Sequence, residues 1–249
     1  MRKERRIFFL LVTAAVSGMV LAGIPESAAN LELFHVDRFD VEGGRHLSSE
    51  EVRSIAALPT GATIWDSTDP VAERIQSHPL VQDVRVRRRI PSTLRVELRE
   101  REPVGLVAGQ VLMPVDGEGN VLPLDPADLR LDLPLLAPGA DREEDDSDEP
   151  VPTRVALLAS ELVRIGDLDP HFAAQLSEIR AGPDGGVILS LTDPRVDLTY
   201  NPPLRPGRLR EGLLVLADAL ERTEDAAPTA LDLRFGDQVV VRFTKSTGN

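Results

Sequence analysis

Four histidines, His35, His46, His78 and His171, are the first candidates for metal ligation or proton transfer in a chain that contains no cysteine. None has a partner at ligand spacing, and neither an HExxH pattern nor a His–Asp pair occurs. His78 stands before Pro79 and reads as a helix-terminus residue. The missing cysteines remove disulfides, thiolate zinc sites, iron–sulfur clusters and thiol nucleophiles together. Asp116-Gly117-Glu118-Gly119-Asn120 superficially resembles a calcium loop. Counted from Asp116, however, the twelfth position is Ala127 instead of a bidentate glutamate, so a turn is expected. Ser48-Ser49 lacks a G-x-S-x-G setting and reads as a helix cap. No pair of acids is placed by sequence in a pocket-like setting. The expectation is therefore a non-enzyme with no metal, no cofactor and no small-molecule substrate.

Binding remains as the alternative. The 249 residues carry a net charge of -13, and only 4% of them are aromatic. Nucleic acid is excluded as a main partner, because its recognition needs clustered Lys and Arg, often with aromatic stacking platforms. Hydrophobic residues make up 42% and charged residues 28%, a globular composition. Two stretches could hold a protein partner. One is Arg87-Arg88-Arg89, which reads either as a recruitment surface or as a charged strand edge that discourages aggregation. The other is the terminal hairpin, where Val239, Val241 and Phe243 share a face and Arg234 and Phe235 supply anchors from the preceding strand. A chain-final strand is often left at a sheet edge, open to a partner strand. An ordinary closing hairpin is the competing reading.

At the other end, Arg2, Lys3, Arg5 and Arg6 precede an uncharged run, Ile7 to Ile24. About eighteen residues rising 1.5 Å each span roughly 27 Å, close to a bilayer core of about 30 Å. The flanking charges keep residues 1–6 in the cytoplasm and send the chain beyond Pro25 outside. An uncleaved signal anchor is one reading. Cleavage after Ser27-Ala28-Ala29 is the other.

The elements that would position these groups follow from periodicity and turn chemistry. Val36, Phe39 and Val41 suggest a strand ended by Gly43-Gly44. Ser48 with Glu51 forms a capping box for a helix over Ser49 to Leu58. A short apolar stretch, Thr63 to Trp65, comes next. Asp69 as N-cap and Pro70 start a second helix, Val71 to Ser77. Val81, Val84 and Val86 lead into the arginine run, the turn Ile90-Pro91-Ser92 and a return strand Thr93 to Arg101, with Leu94, Val96 and Leu98 on one face.

Beyond Pro103 the strands shorten. Gly105 to Ala108 and Val111 to Pro114 are followed by the Asp116 turn and Val121-Leu122-Pro123. Asp141 to Glu149 is an acidic solvated loop. A helix over Thr153 to Ile165 ends at Gly166 as C-cap, and another runs from Asp169-Pro170 to about Ser177. Strands are expected at Ile179 to Ala181, Val187 to Leu191 and Val196 to Tyr200. A helix over Arg208 to Glu221 presents Leu209, Leu213, Leu216 and Leu220 on one face. Ala230 to Phe235 and Gln238 to Phe243 make the last hairpin.

Several of these residues, in this order, resemble the bacterial division proteins called FtsQ or DivIB. Val41-Glu42-Gly43 and Leu47-Ser48-Ser49-Glu50-Glu51-Val52 are similar to the family's "VEGN…LSxEEV" pattern, with Gly44 in place of the usual Asn. HPLVQDVRVRRRIPSTLRVELREREPV, from His78 to Val104, resembles its most recognisable stretch. Val115 to Leu122, Leu133 to Leu136 and Leu231 to Phe235 resemble its "VDxxGxVL", "LPxL" and "DLRY" elements. The resemblance implies an α+β protein: a single N-terminal membrane helix, a POTRA domain of order β-α-α-β-β, and a mixed α/β "β-domain" closed by an antiparallel hairpin. The corresponding divisions are a tail 1–6, an anchor 7–24, a linker 25–33, a POTRA domain 34–103, a β-domain 104–245 containing the acidic loop 141–149, and a tail 246–249. It also implies a non-enzymatic divisome scaffold in the cell membrane at the septum, binding partners of the FtsB and FtsL type to help control septal peptidoglycan synthesis. A POTRA-containing secretion or assembly component and a periplasmic envelope hydrolase are the other classes left open. The acidic loop and the very short tail depart from the family pattern.

Overall fold

The computed structural model describes residues 32–129, 132–139, 151–222 and 226–244. The expected tail 1–6, anchor 7–24, acidic loop 141–149 and tail 246–249 lie outside the described residues, as does most of the linker. Among the described residues, no helix is long and apolar enough to cross a membrane. The chain divides into two compact units after Glu100.

The first unit contains β1 (Arg38–Glu42), α1 (Ser49–Ala56), α2 (Asp69–Gln76), β2 (Val81–Arg89) and β3 (Thr93–Glu100). β3 is central, parallel to β1 and antiparallel to β2. Its alternation has the expected sense: Leu94, Val96 and Leu98 are buried, while Arg95, Glu97 and Arg99 point the other way. Val52 and Ala56 of α1, Val71 and Ile75 of α2, and Ile64 and Leu80 complete the core. Ser48 closes the expected capping box, accepting from the Glu51 N–H at 3.3 Å while its own N–H donates to Glu51 Oε2 at 2.8 Å.

The loop before that cap is held by the last residue of β3. The buried Glu100 carboxylate accepts from the backbone N–H groups of Arg45 (2.9 Å), His46 (2.8 Å) and Leu47 (2.9 Å). Gly43 lets the chain pass close to β3: its φ is 92°, and a Cβ there would meet the Leu98 carbonyl oxygen at 2.1 Å.

The second unit is built on one eight-stranded sheet of order β5-β4-β6-β7-β8-β9-β10-β11. Its strands are β4 (Gly105–Ala108), β5 (Leu112–Val115), β6 (Leu135–Ala137), β7 (Leu176–Ala181), β8 (Val187–Leu191), β9 (Asp197–Tyr200), β10 (Pro228–Asp232) and β11 (Val240–Phe243). A short helix α3 (Pro126–Leu129) comes after β5. The pairs β4–β6, β6–β7 and β9–β10 are parallel; the others are antiparallel. One face buries Leu136, Ile179, Val187, Leu189, Leu191, Leu198, Tyr200 and Leu231 in a single core with residues from α4 (Val151–Leu168) and α6 (Pro206–Arg222). The opposite face is mixed, with Leu106 and Ile188 beside polar groups. There Arg180 donates to Asp197 Oδ2 at 2.6 Å, and Ser190 donates to Asp197 Oδ1 at 2.8 Å. An antiparallel-rich sheet tolerates this division because only one side must exclude water.

A buried carboxylate ties helix to sheet here as well. Glu161 on α4 accepts from the Tyr200 hydroxyl and from the Leu204 N–H, both at 3.1 Å. Burial pushes the Tyr200 phenol up, and the neighbouring Glu161 charge adds to that.

Several expectations are corrected. Thr68, not Asp69, precedes α2, and Asp69 is its first residue. Gly166 is interior to α4, which continues to Leu168. The stop is set by Asp169, which caps α5 (Pro170–Ala173) by accepting from the Phe172 N–H at 3.0 Å. α5 ends well before Ser177, because residues from Leu176 onward pair with β6 and β8. Leu133 to Leu136 contributes a strand, β6, too short to show periodicity. Leu220 is 43% exposed, and Ala219 takes its place on the buried face of α6.

Replacing Glu100 by Ala is expected to lower the stability of the first unit by about 2 kcal/mol, since buried N–H groups lose their acceptor. Denaturant unfolding of the full chain, followed by a probe in the first unit, measures this. An effect below a few tenths of a kcal/mol would show that solvent replaces the carboxylate.

Candidate partner-binding site

β11 is the last strand of the sheet and pairs only with β10. Its register runs Asp232–Val240, Leu231–Val241 and Ala230–Arg242. One backbone edge is therefore left without a strand. The far edge of the same sheet is treated differently. β5 contains Pro114, which has no N–H to offer, and the chain folds back beside it. Val121 bridges Val115, and the Leu122 N–H donates to the Pro114 carbonyl at 2.8 Å. A sheet edge presents unpaired donors and acceptors unless something covers it. Among the described residues, β5 is partly covered by its own chain and β11 is not.

The connection leading to β11 is rigidly held. β10 ends at Asp232, so Arg234 and Phe235 lie in the connection instead of in the strand that was expected to carry them. Asp232 accepts from the Arg234 backbone N–H at 3.0 Å, from its Nε at 3.0 Å and from its Nη2 at 2.7 Å. The Arg234 guanidinium, hydrogen-bonded to Asp232, holds that carboxyl below its ordinary value. From α6, Arg208 Nη2 donates to the carbonyls of Leu233 (3.1 Å) and Gln238 (3.0 Å). Arg208 also pairs with Glu211. Sequence reading missed Arg208, because a helix arginine carries no local signal that its target is a distant turn. Gly212 brings the same helix close: a Cβ there would meet Leu233 Cδ2 at 2.8 Å.

The named hairpin residues separate into two groups. Val239, which precedes β11, and Val241 are half-buried and pack on the core. Phe235 and Phe243 are each 44% exposed. The first pair therefore fixes the strand, and the two phenylalanines are available for contact.

The arginine run lies on β2, an edge strand of the three-stranded sheet. Arg87 pairs with Glu97 across the strands at 3.2 Å, and Arg88 donates to the Asp66 carbonyl at 2.9 Å. Arg89 has no ion-pair partner among the described residues.

Groups with chemical potential elsewhere are engaged in structure. Asp116 accepts from the Glu118 and Asn120 N–H groups at 2.9 and 2.8 Å and pairs with Arg101 at 2.5 Å. Burial pushes its carboxyl up, but these hydrogen bonds outweigh that and hold it below its ordinary value. The turn is thus closed on itself. His78 Nδ1 accepts from the Leu80 N–H at 3.3 Å, just past the end of α2. Among the described residues, no group of three or more His, Asp or Glu is placed to hold a metal ion.

Comparison with known proteins finds relatives of the chain. Residues 34–101 match the model of the FtsQ-type POTRA domain. The chain is 32% identical over 253 aligned residues to the cell division protein FtsQ of Rhodothermus marinus, covering 96% of this chain and 88% of the relative. It is 34% identical over 190 residues to FtsQ of Mycolicibacterium smegmatis, covering 74% of this chain and 50% of that protein. Against the cell division protein DivIB of Geobacillus kaustophilus it is 25% identical over 89 residues, 35% of this chain and 34% of that one.

Arg234→Gln is expected to reduce stability by about 1 kcal/mol at neutral pH, the scale of a partly exposed ion pair. Because the folded Asp232 pKa is depressed, the pair stabilises above the unfolded carboxylate value near 3.8. That contribution disappears as pH falls through the lower folded value. Urea unfolding at stepped pH should show native and variant converging in acid; a constant gap would deny the pairing its role.

Proposed function

Because the chain belongs to the FtsQ/DivIB family of bacterial cell division proteins, we propose that it acts as a non-enzymatic, bitopic scaffold of the division machinery. In this reading residues 7–24 anchor it in the cell membrane, with the N-terminus in the cytoplasm and both units outside. It is enriched at the septum, where it binds FtsB- and FtsL-type partners and so helps control septal peptidoglycan synthesis.

The observation that carries the reading is the open edge of β11. A partner segment adding itself as a further strand gains main-chain hydrogen bonds, while side chains at the edge select its sequence. Phe243 lies on that strand and Phe235 in the connection leading to it, and both are half-exposed, the condition of an aromatic anchor before its partner arrives. Arg234, Val239 and Val241 hold the strand and its connection in place. The edge strand β2 with Arg87, Arg88 and Arg89 is a second contact, used for recruitment. Arg89 contributes most there, because its charge is not engaged within the described fold.

Phe235→Ser and Phe243→Ser are each expected to weaken partner association by about 2 kcal/mol, roughly thirtyfold in Kd, if they are anchors. Their thermal unfolding should stay near that of the native chain. Co-purification of the membrane-extracted protein, with mass-spectrometric identification of what accompanies it, measures the association. Equal recovery from native and variant would refute the edge as the binding site. At the level of the cell, a fluorescent fusion absent from midcell together with normal division after depletion would overturn the scaffold itself.

A further inference from the structure

Three chain segments meet at one end of the first unit. β1 and β3 are parallel, so both begin there, and antiparallel β2 ends there. The Asp37 N–H donates to the Ser92 carbonyl at 3.0 Å, fixing the entering chain to the β2–β3 turn. The Ile64 N–H donates to the Phe34 carbonyl at 3.0 Å, and Trp65 meets Phe34 edge-to-face with ring centroids 5.4 Å apart. Arg88 Nη2 reaches the Asp66 carbonyl at 2.9 Å and joins that loop to β2.

This end is apolar in an unusual way. Leu33 is 61% exposed, Ile90 at the turn 70% and Trp65 38%. Single exposed leucines are ordinary on any protein. Three large apolar residues gathered at the end where the chain enters, one of them tryptophan, are a different matter. The position of the entry limits what can lie against them. Glu32 is eight residues from Ile24, the end of the uncharged run. Even fully extended, that spacing reaches about 29 Å at most.

We propose that this end of the first unit is a lipid-contact surface, with Leu33, Trp65 and Ile90 seated in the membrane interface beside the anchor. The inference rests on the reading of residues 7–24 as that anchor. Tryptophan favours the headgroup level, where its apolar ring is covered and its N–H stays solvated. Electrostatic attraction is not the source of the contact. Arg38, Arg88 and Arg89 at this end are offset by Glu32, Asp37 and Asp66, so apolar burial must supply it. The arginines still suit the level, since their stems cover apolar surface while the heads remain in water. The consequence is orientation: the anchor tethers the unit, and this contact sets which side faces the bilayer.

Trp65 is the one tryptophan of the chain, so its fluorescence reports this end alone. The full-length protein is reconstituted into phosphatidylcholine vesicles and separated by flotation. Brominated phosphatidylcholine then replaces the ordinary lipid. The expected result is co-flotation, with loss of Trp65 emission in the brominated vesicles. In a Leu33→Ser, Ile90→Ser double variant the quenching should diminish while far-UV circular dichroism is unchanged, because both side chains lie outside the core. Floating protein whose emission bromine leaves intact would overturn the contact and leave the anchor standing. Red emission would then mean water around Trp65, and blue emission a covering protein segment. Quenching that the double variant leaves unchanged would equally overturn the assigned surface. Failure to float would remove the anchor reading, and this inference with it.

Discussion

Burying one face of a sheet does not satisfy its edges, and the second unit is arranged around that constraint. α4 and α6 shield the apolar side of the eight strands in one continuous core, which leaves backbone donors and acceptors at both ends of the row. At β5 the chain responds with a proline and a returning segment. At β11 no such cover is present among the described residues, and Arg208 and Asp232 fix the approach to the strand. The difference is local in sequence but global in effect, because among the described residues β11 keeps a backbone edge without a neighbouring strand, and Phe243 on it is exposed.

Two buried carboxylates stabilise the units by the same physical device. Glu100 collects three backbone N–H groups from the loop before α1, and Glu161 collects the Tyr200 hydroxyl and the Leu204 N–H. Each satisfies donors that would otherwise be stranded in a water-poor setting, where an unmade hydrogen bond costs more than a made one contributes. Some of the acidity behind the net charge of -13 is thus internal scaffolding. The basic strand β2 and the matched charges at the chain entry show the converse. A strongly acidic total coexists with a locally cationic edge and a nearly neutral end, so net charge describes no particular surface of this protein.

The first unit was largely legible in the sequence because its signals are short-range. Ser48 and Glu51 lie within one helical turn of each other, and the alternation through Leu94, Val96 and Leu98 is read directly as one buried face. The second unit was legible only in outline. β6 is three residues long, below the span at which periodicity can be recognised. Gly166 looked like a helix end because glycine commonly is one, yet the stronger stop at Asp169-Pro170 lay three residues further on. Leu220 matched the apolar spacing of α6, but in that turn it is Ala219 that meets the core and Leu220 that faces water.

By itself, then, the sequence determined the caps at Ser48 and Asp169, the alternation along β3 and the family resemblance, all carried by residues near one another along the chain. Only the tertiary structure decided which strands became edges and which face of the last hairpin turned inward. It also assigned Arg208 to the distant carbonyls of Leu233 and Gln238, and brought Leu33, Trp65 and Ile90 to one end. Those outcomes depend on strand order and helix placement. Strand order is settled by the summed burial of the whole core, a quantity that no local window of residues contains.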